Sequence, residues 1–149
     1  MSEVRLTTDE IRYFALFESM TGAMVRDCMM DEDEETLIYV IKNGDMGLAI
    51  GKNGININKV RNAISKPIEV IEHSQDLKEF LTNIFQPVQL KSVNVKIKRG
   101  KRIAHIEVKN QDKGLAIGKN GKNIKKARII VSRHHQIDDV VIEQYPDDV

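Results

Sequence analysis

Apolar positions along the chain follow two rhythms, one helical and one alternating, and the same order of rhythms runs through the sequence twice. Ile11, Phe14 and Phe17 recur at helical spacing, Thr7 and Glu10 stand ahead of them as a capping box, and Gly22 offers a stop, which predicts a first helix. Met24 to Met30 and Thr36 to Lys42 then read as strands, joined by Asp31-Glu32-Asp33-Glu34-Glu35, too charged to be anything but a hairpin loop. A Leu-Ala-Ile segment, a helix from about Ile55 to Ser65 and a strand from Pro67 to His73 complete the order helix, strand, strand, helix, helix, strand.

The second half repeats that order. Ser74 is placed to cap a helix in which Leu77, Phe80, Leu81 and Ile84 share one face, and Pro87 ends it. Val93, Val95 and Ile97 alternate with polar residues, Arg99-Gly100-Lys101 turns the chain, and Ala104, Ile106 and Val108 alternate again, an antiparallel hairpin. Ile124, Ala127 and Val131 take the places of Ile57, Val60 and Ile64, 67 residues on, whereas Val141-Ile142-Glu143 answers Val70-Ile71-Glu72 at a shift of 71. The second module's last helix, or the loop after it, is therefore about four residues longer. The fold class is α+β, an α/β sandwich: two modules, residues 1–73 and 74–149 with a short acidic tail, each a three-stranded sheet with helices against one face.

One stretch returns almost verbatim. Asp45 to Arg61 (DMGLAIGKNGININKVR) reappears as Asp112 to Arg128 (DKGLAIGKNGKNIKKAR), with thirteen of seventeen positions identical. Each copy carries a glycine-bracketed turn, Gly51-Lys52-Asn53-Gly54 and Gly118-Lys119-Asn120-Gly121, ahead of a helix. Glycine permits a reversal at positive φ and leaves no Cβ in the way, so a phosphodiester can approach the main-chain N–H groups at the positive end of the next helix. Lys52 and Lys119 add charge, while Asn53 and Asn120 tolerate left-handed geometry and offer hydrogen bonds. A single such turn is weak evidence, equally well a helix stop followed by another helix; two copies with Lys-Asn at both tips point to a clamp on nucleic-acid backbone.

Charge sharpens this picture. The net charge is only +1, yet Lys91 to Arg133 holds fourteen Lys or Arg against Glu107 and Asp112, a local balance of +12 that leaves −11 for the rest. Candidate contacts beyond the turns are Asn56, Lys59 and Arg61, matched by Asn123, Lys126 and Arg128, with Lys122 and Lys125 in the second copy only. The second module is therefore expected to bind more strongly. Ile50 and Ile117 are placed to line a groove or to pack in the core. At 5% aromatics and no Trp, stacking on aromatic platforms is a minor mode.

No enzyme fingerprint is met. Gly47 to Gly51 has three intervening residues where a phosphate-binding P-loop needs four, Asn53 stands where that loop needs Ser or Thr, and no G-x-G-x-x-G occurs. His134-His135 lacks partners at metal-ligand spacing and reads as a surface pair, and Cys28 reads as a core thiol. No cofactor, metal or small-molecule substrate is expected. Neither a signal peptide nor an apolar run near the ~18 residues of a membrane span is present, which points to a cytoplasmic protein with no membrane partner.

The Ile-Gly-Lys-Asn-Gly turns within the helix-strand-strand-helix-helix-strand order resemble tandem type II KH domains, and the wording of Asp112 to Arg128 is similar to the paired KH region of the NusA family. The resemblance spans about Thr7 to Gln144. Bacterial members carry an N-terminal polymerase-binding domain and an S1 domain that 149 residues do not accommodate beside two KH modules, so the compact archaeal form is the one resembled. It implies single-stranded RNA held by the two GXXG loops, about four nucleotides per module, in a groove between the flanking helices and an adjacent strand. It implies, by analogy, a role in transcription elongation, termination or antitermination with RNA polymerase or other transcription proteins as partners. An RNA-binding factor in ribosome assembly or RNA processing, and a protein-binding adaptor on a KH scaffold, are the alternatives.

Overall fold

The order of elements follows from where the chain can bury apolar side chains and where it must turn. In the computed structural model, which describes residues 4–31, 33 and 35–145, one unit runs Arg5–Ser74 and a second starts at Gln75. Glu32, Glu34 and the acidic tail after Tyr145 lie outside the described residues.

In the first unit, α1 (Thr8–Thr21) opens on the Thr7–Glu10 capping box, each side chain bonded to the other residue's backbone N–H at 3.2 and 3.0 Å, and stops at left-handed Gly22. Of the expected face, Phe14 and Phe17 pack inward, joined by Tyr13 and Met20, while Ile11 is 55% exposed, because the sheet lies against the neighbouring side. β1 (Val25–Met30) pairs antiparallel with β2 (Leu37–Ile41), and β2 pairs in parallel with β3 (Ile68–Glu72), giving the order β1-β2-β3. A parallel neighbour requires a crossover, supplied by α2 (Met46–Ile50) and α3 (Ile55–Ile64). Every residue of β2 is buried, as suits the central strand. Phe17 and Tyr39 meet at 4.2 Å between ring centroids, the Tyr39 hydroxyl donates to the Tyr13 carbonyl at 2.8 Å, and Cys28 is wholly buried in the same cluster.

The second unit has the same topology, β4-β5-β6, with β4 (Ser92–Lys98) antiparallel to β5 (Lys101–Lys109) and β5 parallel to β6 (Asp139–Tyr145) across α5 (Lys113–Ile117) and α6 (Lys122–His135). The four extra residues are all helical: α6 has 14 residues where α3 has 10. Three expectations are corrected here. Asp76, not Ser74, caps α4 (Leu77–Phe85), accepting from the Glu79 N–H at 3.1 Å, while Ser74 is buried. His134 and His135 are half-buried, their rings 5.8 and 5.3 Å from that of Phe80 on the facing helix. The alternating stripe on β4 stays largely uncovered, Val95 at 39% and Ile97 at 75% exposure, because α4 is nine residues against the fourteen of α1. Among the described residues no helix is long and apolar enough to cross a membrane.

Burial pushes the Tyr39 phenol well above its ordinary value of 10.0, and neighbouring Cys28 adds to the rise. Above that ordinary value the unfolded chain releases this proton while the folded chain keeps it, so stability from Tyr39 falls as pH rises and is unaffected below. Between about pH 9 and pH 11 the wild type should lose about 1.4 kcal/mol more than Tyr39→Phe, measured by urea unfolding, since the phenylalanine has no proton to lose.

Candidate nucleic-acid interface

Both glycine-bracketed turns are built the same way. Residue Gly51 closes α2, its N–H donating to the Gly47 carbonyl at 2.8 Å, and lies at φ 76, ψ 169, a region open essentially to glycine alone. A single 3-10 turn, Lys52–Gly54, follows with Asn53 left-handed at φ 56, and α3 begins. In the second unit Gly118 stands at φ 81, ψ 166 and Asn120 at φ 57, so the two loops share one backbone.

A steric contact explains the first glycine of each loop. A Cβ on Gly51 would fall 2.8 Å from Asn56 Cγ and 2.9 Å from its backbone N; on Gly118 it would fall 2.8 Å from the backbone N of Asn123. The asparagines crowd that spot because they stitch the loop shut. Asn56 Nδ2 donates to the Leu48 carbonyl at 2.7 Å and Asn123 Nδ2 to the Leu115 carbonyl at 3.0 Å, each bond tying the incoming helix to the outgoing one. The amide nitrogens of these two candidate contact residues are thus engaged within the protein.

The tips face outward. Lys52, Asn53, Lys119 and Asn120 are exposed, and no side chain caps the start of α3 or α6, so the positive end of each helix faces the loop unscreened. Lys59 and Lys125 are exposed, while Lys122 and Lys126 are half-buried. Arg61 and Arg128 reach toward the following strand: Arg61 bonds Asn58 Oδ1 at 3.1 Å and the Ile68 carbonyl at 3.5 Å, and Arg128 bonds the Val140 carbonyl at 3.3 Å and Asp139 Oδ1 at 2.8 Å. Both therefore brace helix against strand. Ile50 is exposed and Ile117 half-buried; the core position between them and the preceding leucines is taken by Ala49 and Ala116. Leu48 and Leu115, 51% and 55% exposed at matched positions, were not anticipated as surface residues. Their identity in both copies is the signal the sequence offers. Among the described residues no cluster of His, Cys, Asp or Glu could hold a metal ion.

This geometry agrees with the matches to known families. The KH domain family matches residues 10–102, and the NusA-like second KH domain matches residues 77–141. The chain belongs to the NusA-like KH family. A Methanocaldococcus jannaschii protein named "Probable transcription termination protein NusA" is 36% identical over 137 residues, covering 92% of this chain and 74% of the relative. The Methanococcus vannielii protein of the same name is 40% identical over 130 residues, with 87% and 74% covered. The crystal structure of APE1850 superposes with a TM-score of 0.81 at 40% identity, over 93% of this chain and 100% of that one. The fold is thus a tandem of KH domains, modules that in general bind single-stranded nucleic acid through the GXXG turn.

The two glycines of one loop should respond differently to substitution. Gly51→Ala meets both a forbidden backbone region and the Asn56 wall, and should lower stability by about 2–3 kcal/mol in denaturant unfolding. Gly54→Asn, with no atom nearer than 3.5 Å to the added Cβ and an ordinary left-handed conformation, should cost about 1 kcal/mol or less.

Proposed function

We propose that this chain is a single-stranded RNA-binding transcription factor that grips RNA backbone with both GXXG loops. The observation carrying the reading is the pair of loops with one shared backbone conformation, each exposing Lys-Asn at its tip ahead of an uncapped helix start. Phosphate oxygens would be met by Lys52 and Lys119 and by main-chain N–H groups of the turns, where Gly51, Gly54, Gly118 and Gly121 keep side-chain bulk away. Asn53 and Asn120 supply hydrogen bonds from the loop tips, and Asn56 and Asn123 still offer Oδ1 as an acceptor.

Lys59, Lys122, Lys125 and Lys126 add long-range attraction, concentrated on the second domain, which should bind more tightly than the first. Arg61 and Arg128 act by holding the helix–strand wall of the groove, and Ile50 and Ile117 by giving it an apolar lining. The relatives' names place those proteins in transcription termination; by extension this chain acts in elongation, termination or antitermination in the cytoplasm, with RNA polymerase or another transcription protein as partner. Its chemistry is binding, with no catalytic step.

Replacing Lys52, Asn53, Lys119 and Asn120 together by Asp should weaken binding of a short single-stranded RNA by at least about tenfold in fluorescence anisotropy, with thermal melting unchanged. Retained affinity in this variant would sink the clamp and favour a protein-binding role for the scaffold. For the wild type, contact with about four to six phosphates predicts a slope of log K against log salt of roughly −3 to −4. A flat salt response would be incompatible with phosphate contact.

A further inference from the structure

The β4–β5 hairpin carries a basic tip that the GXXG loops do not use. Lys98 pairs with Lys101 across a two-residue turn in which Arg99 (φ 54) and Gly100 (φ 78) are both left-handed, the type I′ geometry that suits a twisted hairpin. Lys96, Lys98, Arg99 and Lys101 are exposed, and none forms an ion pair or side-chain hydrogen bond among the described residues. Ile97, between two of these lysines, is the apolar side chain left bare by the short α4.

The tip's position in the domain gives this charge a direction. Arg102, one pair from the tip and opposite Ile97, donates to the carbonyls of His135 at 3.0 Å and Gln136 at 3.4 Å, and its backbone N–H donates to Asp138 Oδ2 at 2.8 Å. The hairpin is thereby fastened to the turn joining α6 to β6, at the opposite end of α6 from Gly118–Gly121. Fourteen residues of helix separate the two sites, about 21 Å at 1.5 Å per residue. A strand of RNA held at the loop and following α6 would therefore leave the domain beside this tip.

The first domain supplies the contrast. Its hairpin occupies the same place in the topology, yet its tip carries Asp31, Asp33 and Glu35, with Asp31 Oδ1 holding the loop through the N–H groups of Glu35 and Thr36. If hairpin charge served only solvation, either sign would do at both tips; the opposite signs repel a polyanion at one and attract it at the other.

We propose that the basic hairpin tip of the second domain is an additional contact for the RNA backbone, engaging nucleotides beyond the groove, with Lys98, Arg99 and Lys101 on phosphates and Ile97 against a base. This rests on the clamp reading above and extends it. The test uses the full chain with Lys98→Gln, Arg99→Asn and Lys101→Gln combined; Asn-Gly is itself a favoured type I′ turn, so the hairpin is kept. Binding is measured by anisotropy to oligouridylates of about five and about fifteen nucleotides, the shorter little longer than the roughly four that one KH groove holds.

The longer RNA should bind roughly tenfold more weakly, with a salt slope shallower by about 2, while the shorter one is unaffected. Wild-type affinity and slope for the longer RNA would overturn the hairpin contact and leave the tip for an acidic protein partner. Equal losses on both lengths would also overturn it, as a general charge effect. Wild-type affinity of the four-position Asp loop variant for the shorter RNA would instead overturn the clamp reading, so the two failures are distinguishable.

Discussion

Where each GXXG loop begins, two helices are joined so tightly that the first glycine has no room for a Cβ. The asparagine five residues on reaches back to a carbonyl of the preceding helix, and its bulk fills the space a side chain would need. This one contact orients α2 against α3 and α5 against α6, brings the uncapped helix starts to the loop, and turns the Lys-Asn tips outward. The same absence of bulk that permits the corner gives a phosphate access to backbone N–H groups. In the proposed clamp, packing and recognition are served by one residue choice.

The duplicated scaffold carries two different surfaces. Around the first loop, Ile50 and Ile55 are exposed apolar residues; around the second, Ile117 is half-buried and Lys122 and Lys125 stand where Ile55 and Asn58 do. The hairpin tips differ likewise in sign. Sheet order, crossover and helix count are unaffected by these changes, since all of them fall on exposed or half-exposed positions while the matched core places remain apolar. Charge therefore varies independently of fold, and the near-zero net charge conceals a strongly basic second domain.

Much of the architecture was legible because local signals agreed with one another. The Thr7–Glu10 box, the stop at Gly22, the apolar runs of β1 and β2, and the 67-residue repeat each marked an element the structure contains. The differences in exposure share a cause, in that residue type alone does not set a side chain's environment. Ile11 was expected inside and lies outside because the sheet meets the neighbouring helix face; Ile97 is bare because the helix that would cover it is short. His134 and His135 were expected at the surface and rest on Phe80, which lies more than fifty residues earlier in the chain.

By itself the sequence determined the number and order of elements, the duplication, the glycine corners and the location of the charge, all of which depend on spacing and residue type within a few neighbouring turns. Tertiary structure alone decided the parallel pairing of β2 with β3 and β5 with β6, the stitch from Asn56 to Leu48 and Asn123 to Leu115, and the bracing roles of Arg61 and Arg128. Those depend on which distant groups face each other once the sheet has formed, and hydrogen-bonding capacity read along a chain does not say which partner will come within reach.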